Sequence, residues 1–137
     1  MKELGIDIGL APLMDNLFNR AKSNLRWMEY SACNMASIVS PVKPYLCVKD
    51  GITGLLAQER DEWFDAMELL ITDEKLRKTI AENAYKEVSE KYDIAKNIGL
   101  WEKTYREVHD KFHDFYGPKK DYIKLNQKGK YRLIKNP

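Results

Sequence analysis

The sequence predicts an α/β domain of about three parallel strands with flanking helices and a helical C-terminal part. Short apolar runs closed by a proline, at residues 6–12 and 37–40, are typical of strands buried in a parallel sheet. Apolar residues at helical spacing lie between and after these runs, as expected of helices that connect and cover such strands. The order is therefore that of a βαβ unit extended by helices.

The segment from Asp7 to Ser40 forms the first strand–helix–strand unit. Ile6 to Pro12 and Ser37 to Ser40 supply the two strands, and Ser23 can cap the helix between them. The apolar face of this helix is predicted to consist of Leu25, Met28, Ala32 and Met35.

The loop ahead of this helix carries the side chains of an anion-binding site. In βαβ units, ligands bind beyond the carboxyl ends of the strands, where the next helix directs its unpaired N–H groups. Donors and cations fill this place, and the acid Glu29 follows about a turn and a half further on. The donors and cations are Asn16, Asn19, Arg20, Lys22, Ser23 and Asn24. The alternatives are that the basic loop is merely solvated and that Glu29 has a surface or capping role.

A third strand is expected over Thr53 to Ala57. Pro44 suits the first turn of a short helix before it, and Lys49 to Gly51 form a turn. Gly51 and Gly54 bracket the approach to the strand. Either close approach of the backbone to a ligand or ordinary turn chemistry explains these glycines.

The remaining chain is predicted to be helical, in three segments. The first begins near Asp61, while Asp73 can cap the second and Asp93 the third. The first carries the apolar face Trp63, Ala66, Met67, Leu70 and Ile71, and the second carries Leu76, Ile80, Ala84 and Val88. The third carries the stripe Ile94, Ile98, Trp101, Tyr105, Val108, Phe112 and Phe115. Core packing against the sheet or a neighbouring domain is expected for this stripe.

Composition argues against membrane insertion and export. No apolar run approaches the roughly 18 residues that a membrane span needs, and the N-terminus lacks a basic region followed by a long apolar segment. We therefore expect a cytoplasmic protein.

Cysteine and histidine residues do not predict a metal site. Cys33 and Cys47 are the two cysteines, and buried thiols are favoured over a disulfide or metal site. His109 and His113 stand four residues apart, a spacing that can hold a metal on a helix face, but no third ligand accompanies them. An exposed helix face is favoured, and neither a metal nor a cofactor is expected.

Charge divides the chain into a predicted domain over 1–116 and a basic tail over 117–137. The tail has seven Lys/Arg and one acidic residue, a net charge of +6, whereas residues 1–116 have 16 basic and 20 acidic side chains, a net charge of −4. Such a tail is either solvated, ordered against its own domain or in contact with an anionic partner. Of the anionic partners, a peripheral membrane contact is retained and nucleic acid is not expected.

A succession of short motifs spans most of the chain. In order, it reads DIGLAPL, a helix with Glu-Tyr, SIVS, PY...V.DG.TGLL, EW..A...L..D..LR..I..NAY..V...Y and W...Y. This succession resembles the C-terminal part of GT-B glycosyltransferases of family 4, over about Ile6 to Val108. The resemblance implies a partial Rossmann-like domain, the GT-B C-terminal domain, which binds nucleotide sugars.

The resemblance also implies roles for the residues around Ser23. The family carries two glutamates in a pattern like E-G-F-G-L-P-x-x-E, and Glu29 occupies the place of the second, which implies that it binds the ribose hydroxyls. The backbone from Lys22 to Leu25 would face the diphosphate. The implied substrate-binding residues are Arg20, Lys22, Ser23, Asn24, Leu25 and Glu29, whereas the catalytic residues are unknown.

Two departures from the family pattern concern the sugar side of the site. Ala21 stands where the first glutamate is expected, and Lys22 and Asn24 replace the glycines. A branch of the family reads more like FNR.KS.L...EY, in which the lysine takes over part of the charge compensation. A departing nucleoside diphosphate gains negative charge, and Arg20 or Lys22 beside a helix N-terminus would stabilise that charge without a metal.

A complete enzyme of this type has two Rossmann-like domains with the active site between them. The three predicted strands match the second half of the strand order 3-2-1-4-5-6. The chain is therefore expected to be a fragment, a split-gene product or a truncated paralogue. Its first strand would have an open edge, so we predict self-association through that edge or its capping by the basic tail.

The predicted function is donor binding in a retaining glycosyltransferase that moves a sugar from a nucleoside diphosphate carrier to a glycan, lipid or protein acceptor. We expect a hexosyltransferase-like enzyme that is incomplete and inactive as an isolated chain. The expected partners are a nucleoside diphosphate sugar and either a second copy or the missing N-terminal half. The alternatives are a non-catalytic nucleotide-binding remnant and a helical interaction module.

Overall fold

A computed structural model describes residues 5–116, 121–125 and 131–135. By their contacts, the residues divide into two units, Met1–Asp93 and Ile94–Pro137. This division falls earlier in the chain than the predicted boundary between residues 116 and 117. The division into a domain over 1–116 and a tail over 117–137 stays a prediction.

The first unit contains a parallel three-stranded sheet in the order β1–β2–β3. Its strands are β1 (Ile8–Ala11), β2 (Ala36–Val39) and β3 (Leu55–Leu56). Ile8 pairs with Ala36, and Ile38 pairs with Leu55. All four residues of β2 are buried, as expected for a strand paired on both sides. The three predicted parallel strands are confirmed, although β1 and β3 are shorter than the runs that predicted them.

Helices flank this sheet, as the sequence predicted. The first unit contains α1 (Leu17–Arg20), α2 (Leu25–Ala32), a 3₁₀ helix (Lys43–Tyr45), α3 (Arg60–Thr72) and α4 (Glu74–Lys91). The second unit contains α5 (Ile94–Tyr116) and the antiparallel pair of β4 (Asp121–Leu125) and β5 (Tyr131–Lys135). None of the described helices has the length and apolar character needed to cross a membrane.

The predicted basic tail contains β4 and β5, and its other residues lie outside the described ones. Within the described residues, β4 and β5 pair with each other in a sheet of their own. Contact of the tail with a lipid surface, and self-association through the edge of β1, stay predictions.

The core of the first unit consists of two clusters that share the strands of the sheet. Val39 belongs to a cluster with Trp27 and Val88, whereas its neighbour Ile38 belongs to a cluster with Leu70. Successive side chains of a strand point to opposite faces, so both faces of the sheet are covered. Asp73 caps α4 as predicted, accepting a hydrogen bond of 2.9 Å from the backbone N–H of Leu76. The predicted apolar face of α4 is confirmed by the buried Ile80, Ala84 and Val88.

The geometry of the turn before β3 explains why Gly51 and Gly54 are glycines. Gly51 has φ +70°, a conformation that favours glycine in a turn. A Cβ on Gly54 would lie 2.6 Å from Val48 Cγ1, so close packing within the protein requires this glycine. Turn geometry and packing therefore explain both residues.

The predicted apolar face of α2 is wrong in part. Leu25 is 52% exposed, whereas Trp27 and Ser31 are fully buried. Trp27 Nε1 donates a 2.9 Å hydrogen bond to the carbonyl of Thr53, and Ser31 Oγ donates a 2.7 Å bond to the carbonyl of Trp27. The buried face of α2 therefore includes polar groups that are hydrogen-bonded to backbone carbonyls. A pattern of apolar residues alone does not reveal such a face.

The predicted stripe of α5 is exposed where its side chains are described. Ile94, Ile98, Trp101, Tyr105, Val108 and Phe112 are 44–66% exposed, and the side chain of Phe115 lies outside the described residues. These six side chains are therefore not buried among the described residues, whereas packing of the stripe against a neighbouring domain stays a prediction. His109 on the same helix lies 3.3 Å from Asp110 through its Nδ1, and the described residues contain no cluster of three or more metal-ligating side chains.

Candidate functional site

A cavity of about 580 Å³ opens where β1 ends and α2 begins. The end of β1 and the residues after it form one wall, and the start of α2 forms the other. The lining residues are Leu10, Ala11, Pro12, Leu13, Lys22, Ser23, Leu25, Arg26, Tyr30 and Tyr45. This is the carboxyl end of a parallel strand, the place where ligands of open α/β sheets bind.

Hydrogen bonds between strand ends fix the first wall. The backbone N–H of Leu13 donates to Ser40 Oγ at 2.9 Å, and the N–H of Ser40 approaches the carbonyl of Ala11 at 3.4 Å. Ser40 directly follows β2 and is buried. The chain beyond β1 is therefore tied to the neighbouring strand.

The loop between β1 and α2 contains the short helix α1. Asn16 caps this helix by accepting a 2.8 Å hydrogen bond from the N–H of Asn19. Asn19 is itself buried and donates from Nδ2 to the carbonyl of Met14 at 2.8 Å. Two of the predicted polar residues thus hold the loop in shape, and neither lines the cavity.

Arg20 is paired within the same loop. Its guanidinium donates to both carboxylate oxygens of Asp15, at 2.6 and 2.7 Å. These hydrogen bonds lower the pKa of the Asp15 carboxyl and raise the pKa of Arg20. Its charge is compensated at this point, and Arg20 does not line the cavity.

Lys22 does line the cavity, together with Ser23 and Leu25. The Lys22 ammonium lies 4.8 Å from the centroid of the exposed Phe18 ring, a cation–π contact. An exposed contact of this kind is weak, so the ammonium can reorient towards an anion in the cavity.

The start of α2 corrects the prediction that Ser23 caps this helix. Asn24 is the N-cap residue, and its backbone carbonyl accepts a 3.1 Å bond from the N–H of Met28. Its side chain instead donates to Cys47 Sγ at 3.3 Å and to Tyr92 Oη at 3.1 Å. The Asn24 side chain makes no capping hydrogen bond to the first N–H groups of α2, and Leu25 and Arg26 from this first turn line the cavity.

Cys47 is one of two free thiols among the described residues, and both are half-buried. The expected burial of these thiols is therefore only partial, and Cys47 contacts the polar side chain of Asn24. Its contact with Asn24 orients the residue from which α2 starts.

Glu29 lies outside the cavity lining and is joined to it by Arg26. Glu29 Oε2 accepts a 3.0 Å bond from Arg26 Nη1, and the two side chains are 36% and 67% exposed. Arg26 lines the cavity, and sequence reasoning missed it because only cations ahead of the helix were considered. The spacing of three residues between Arg26 and Glu29 was the signal that could have found it.

Two tyrosines complete the lining, and the sequence analysis did not single them out. Tyr30 Oη donates to the carbonyl of Leu10 at 3.0 Å, which ties α2 to the end of β1. Tyr45 from the 3₁₀ helix is 3% exposed, and burial raises the pKa of its phenol. These rings add aromatic surface to the lining of the cavity.

Of the predicted site residues, the structure brings Lys22, Ser23 and Leu25 together in one cavity. Arg20, Asn24 and Glu29 surround it without lining it. The arrangement combines cations, N–H groups at a helix start and aromatic rings, and such a set can bind an anion attached to a flat or apolar group.

Comparisons with known proteins identify proteins to which this chain is similar. The family model described as glycosyl transferase-like matches residues 6–103. Among solved structures, the C-terminal domain of a glycosyl transferase group 1 family protein (LpcC) from Francisella tularensis is similar, with a TM-score of 0.54 and 27% identity. The match covers 64% of this chain and 44% of that one, so this chain spans less than half of that domain's length. Among curated proteins, none matches significantly.

Proposed function

The chain belongs to the glycosyl transferase-like family, and from this premise we propose that the cavity at the start of α2 binds a nucleotide-sugar donor. The chain would then be the donor-binding part of a retaining glycosyltransferase of family 4, which moves a sugar from a nucleoside diphosphate carrier to a glycan, lipid or protein acceptor. The observation that carries the proposal is the joint lining of one cavity by Lys22, Ser23, Leu25 and Arg26.

Size and charge support an anionic ligand with an aromatic part. A volume of about 580 Å³ lies within the roughly 300–1,000 Å³ of small-molecule sites. The partial positive charge of the α2 N-terminus adds to the charge of Lys22, and both favour a diphosphate. Tyr30 and Tyr45 offer an apolar wall to the rest of the nucleotide.

Stabilisation of the leaving group is the chemistry proposed for this site. When the sugar leaves, its carrier becomes a nucleoside diphosphate with additional negative charge. Lys22 and the N–H groups of α2 would stabilise that charge in place, which lowers the barrier for bond cleavage. Arg20 stays in the proposal as a second ligand of the diphosphate, a role that requires it to leave Asp15, because that carboxylate compensates its charge in this structure.

Glu29 is proposed as the ligand of the ribose hydroxyls. It lies one turn into α2, and its carboxylate is 36% exposed beside the guanidinium that lines the cavity. A carboxylate accepts hydrogen bonds from two adjacent hydroxyls with good geometry. Asn24 is proposed to act through its backbone, because its side chain is engaged with Cys47 and Tyr92.

A thermal-shift screen with ADP, GDP, UDP, CDP, dTDP and their sugar derivatives tests donor binding. A ligand that binds the native state at about 100 times its Kd stabilises it by about 2.7 kcal/mol and raises Tm by several degrees. Failure of every compound to raise Tm would contradict the proposal and favour a helical interaction module. Binding without sugar transfer, with the rest of the enzyme supplied, would favour a non-catalytic remnant.

Substitutions locate the site once a ligand is found. Lys22→Ala should weaken binding of the diphosphate but not of its nucleoside, whereas Lys86→Ala, an exposed lysine on α4, should change neither. Glu29→Ala should weaken binding of the nucleoside diphosphate by about 1.5–3 kcal/mol, the range for hydrogen bonds to charged groups. Calorimetry that finds unchanged affinity for both Lys22→Ala and Glu29→Ala would remove these residues from the site.

A further inference from the structure

Among the described residues, the cations Arg20, Lys22 and Arg26 are considered as ligands of an anion, and each contacts a different partner. Arg20 is held by both oxygens of Asp15. Lys22 lies over the Phe18 ring. Arg26 is a cavity-lining residue, and its guanidinium is bound by Glu29 from the next turn of the same helix.

The contact between Arg26 and Glu29 is of a kind that an incoming anion can replace. It is a single hydrogen-bonded ion pair of 3.0 Å between side chains that are 67% and 36% exposed. Exposed pairs of this type contribute about 0–1 kcal/mol. A diphosphate offers several charged oxygens, and a guanidinium binds such groups with two parallel hydrogen bonds.

We propose that Arg26 is the diphosphate-binding arginine and that it exchanges Glu29 for the diphosphate when the ligand binds. The exchange releases the Glu29 carboxylate, which then accepts the ribose hydroxyls. One ion pair thus keeps both ligand-binding side chains in place while the cavity is empty. This inference rests on the proposed function, because it names a residue and a rearrangement of that same site.

If the exchange occurs, Glu29→Gln should change the affinities for pyrophosphate and for the nucleoside in opposite directions. Without the carboxylate, Arg26 no longer has to leave a partner, so Glu29→Gln should strengthen binding of inorganic pyrophosphate about two- to fivefold. The same substitution should weaken binding of the nucleoside, because the glutamine amide has no charge and one acceptor oxygen where the carboxylate has two for the ribose hydroxyls. A purely structural role of Glu29 would move both affinities in the same direction.

Arg26→Gln is the complementary variant. It should weaken binding of pyrophosphate and of the nucleoside diphosphate about ten- to a hundredfold, the range of one charge-assisted hydrogen bond. Binding of the nucleoside should be unchanged or tighter. Arg26→Lys keeps the charge without the planar fork and should restore only part of the affinity.

Two controls separate this exchange from general effects of charge and folding. Arg106→Gln breaks a similar exposed ion pair on α5, between Arg106 Nη2 and Glu102 Oε1 at 2.7 Å, and should leave binding unchanged. In the Arg26→Gln background, Glu29→Gln should no longer strengthen pyrophosphate binding, because the arginine it restrains is gone.

Titration calorimetry of the full chain with pyrophosphate, the nucleoside diphosphate that stabilises it most and the matching nucleoside measures these affinities. The expected result is the pair of opposite shifts for Glu29→Gln and the loss for Arg26→Gln. If the parent binds the diphosphate and Arg26→Gln binds it equally well, the exchange is wrong while the proposed function stands. If the parent binds none of the diphosphates tested, both are wrong.

Discussion

Gly9→Ala tests the contact by which Tyr30 closes one side of the cavity. Gly9 lies in β1, and a Cβ placed there would be 2.4–2.8 Å from three atoms of the Tyr30 ring. The ring cannot move away freely, since Tyr30 Oη donates to the carbonyl of Leu10 at 3.0 Å. The added methyl group must therefore displace either the ring or the strand.

The expected cost follows from these two contacts. Insertion of a carbon into a packed site costs about 1–3 kcal/mol, and loss of the hydrogen bond from Tyr30 adds about 1 kcal/mol. The free energy of unfolding should fall by about 2–4 kcal/mol. For an m-value near 2 kcal/mol/M, the midpoint of urea unfolding then falls by about 1–2 M.

A double-mutant cycle isolates the contact. In a Tyr30→Ala background the ring is absent, so Gly9→Ala should cost less than about 0.5 kcal/mol. Gly99→Ala is the matched control, because a Cβ at that position on α5 meets no atom within 4 Å, and it should be neutral or stabilising. A cost below about 0.5 kcal/mol in the parent, or an equal cost in both backgrounds, would refute the reasoning.

Three further substitutions test electrostatics and hydrogen bonding elsewhere in the first unit. The Glu87 carboxylate accepts hydrogen bonds from Lys91 at 2.7 Å and from Lys49 at 2.9 Å, and these lower its pKa. Its contribution to stability is therefore present above the ordinary carboxyl pKa and is lost as the pH falls through the lowered value. Glu87→Gln should cost about 1 kcal/mol at neutral pH and flatten the acid-side fall of Tm, and an unchanged pH profile would count against this account. Among the described residues, Ser37 Oγ is buried without a hydrogen-bond partner, so Ser37→Ala should leave urea stability unchanged or raise it by up to about 1 kcal/mol. Ser31→Ala, which removes a 2.7 Å bond to a buried carbonyl, should instead cost about 1 kcal/mol, and the opposite order would contradict the assignment.

The sheet and α4 could be predicted from the sequence because their burial is carried by apolar residues. Ile38 and Val39 mark β2, and Ile80 and Val88 follow the helical period of α4. Hydrophobic periodicity reports burial directly in such elements. The resemblance to glycosyltransferases was likewise correct, while the assignment to family 4 stays a prediction.

The buried face of α2 could not be predicted in the same way. Trp27 and Ser31 are buried with their polar groups satisfied by backbone carbonyls, and the apolar Leu25 faces the cavity. The spacing of the apolar residues therefore predicted the position of α2 correctly but predicted the wrong residues for part of its buried face. The partner of each polar group depends on residues brought together only by folding, such as the Thr53 carbonyl.

The sequence indicated where a cavity lies but not all the residues that line it, and the role of the predicted residues in substrate binding stays a prediction. The loop and the start of α2 do form a cavity wall, and Lys22 lies in it. The partner of each cation depends on competition among side chains, since Asp15 engages Arg20 whereas Glu29 engages Arg26, which lines the cavity. Such pairings are decided by distances of a few ångströms that a sequence pattern does not specify.

Backbone amide shifts of the ¹⁵N-labelled chain during titration with a nucleoside diphosphate test the central claim most directly. The account predicts the largest changes at residues 22–26 at the start of α2, with smaller ones at Tyr30 and Tyr45. A second cavity of about 490 Å³ on α4, lined by Glu74, Lys75, Lys78, Thr79 and Glu82, provides the internal comparison. Changes concentrated there, or no changes at the start of α2 at saturating ligand, would contradict the account.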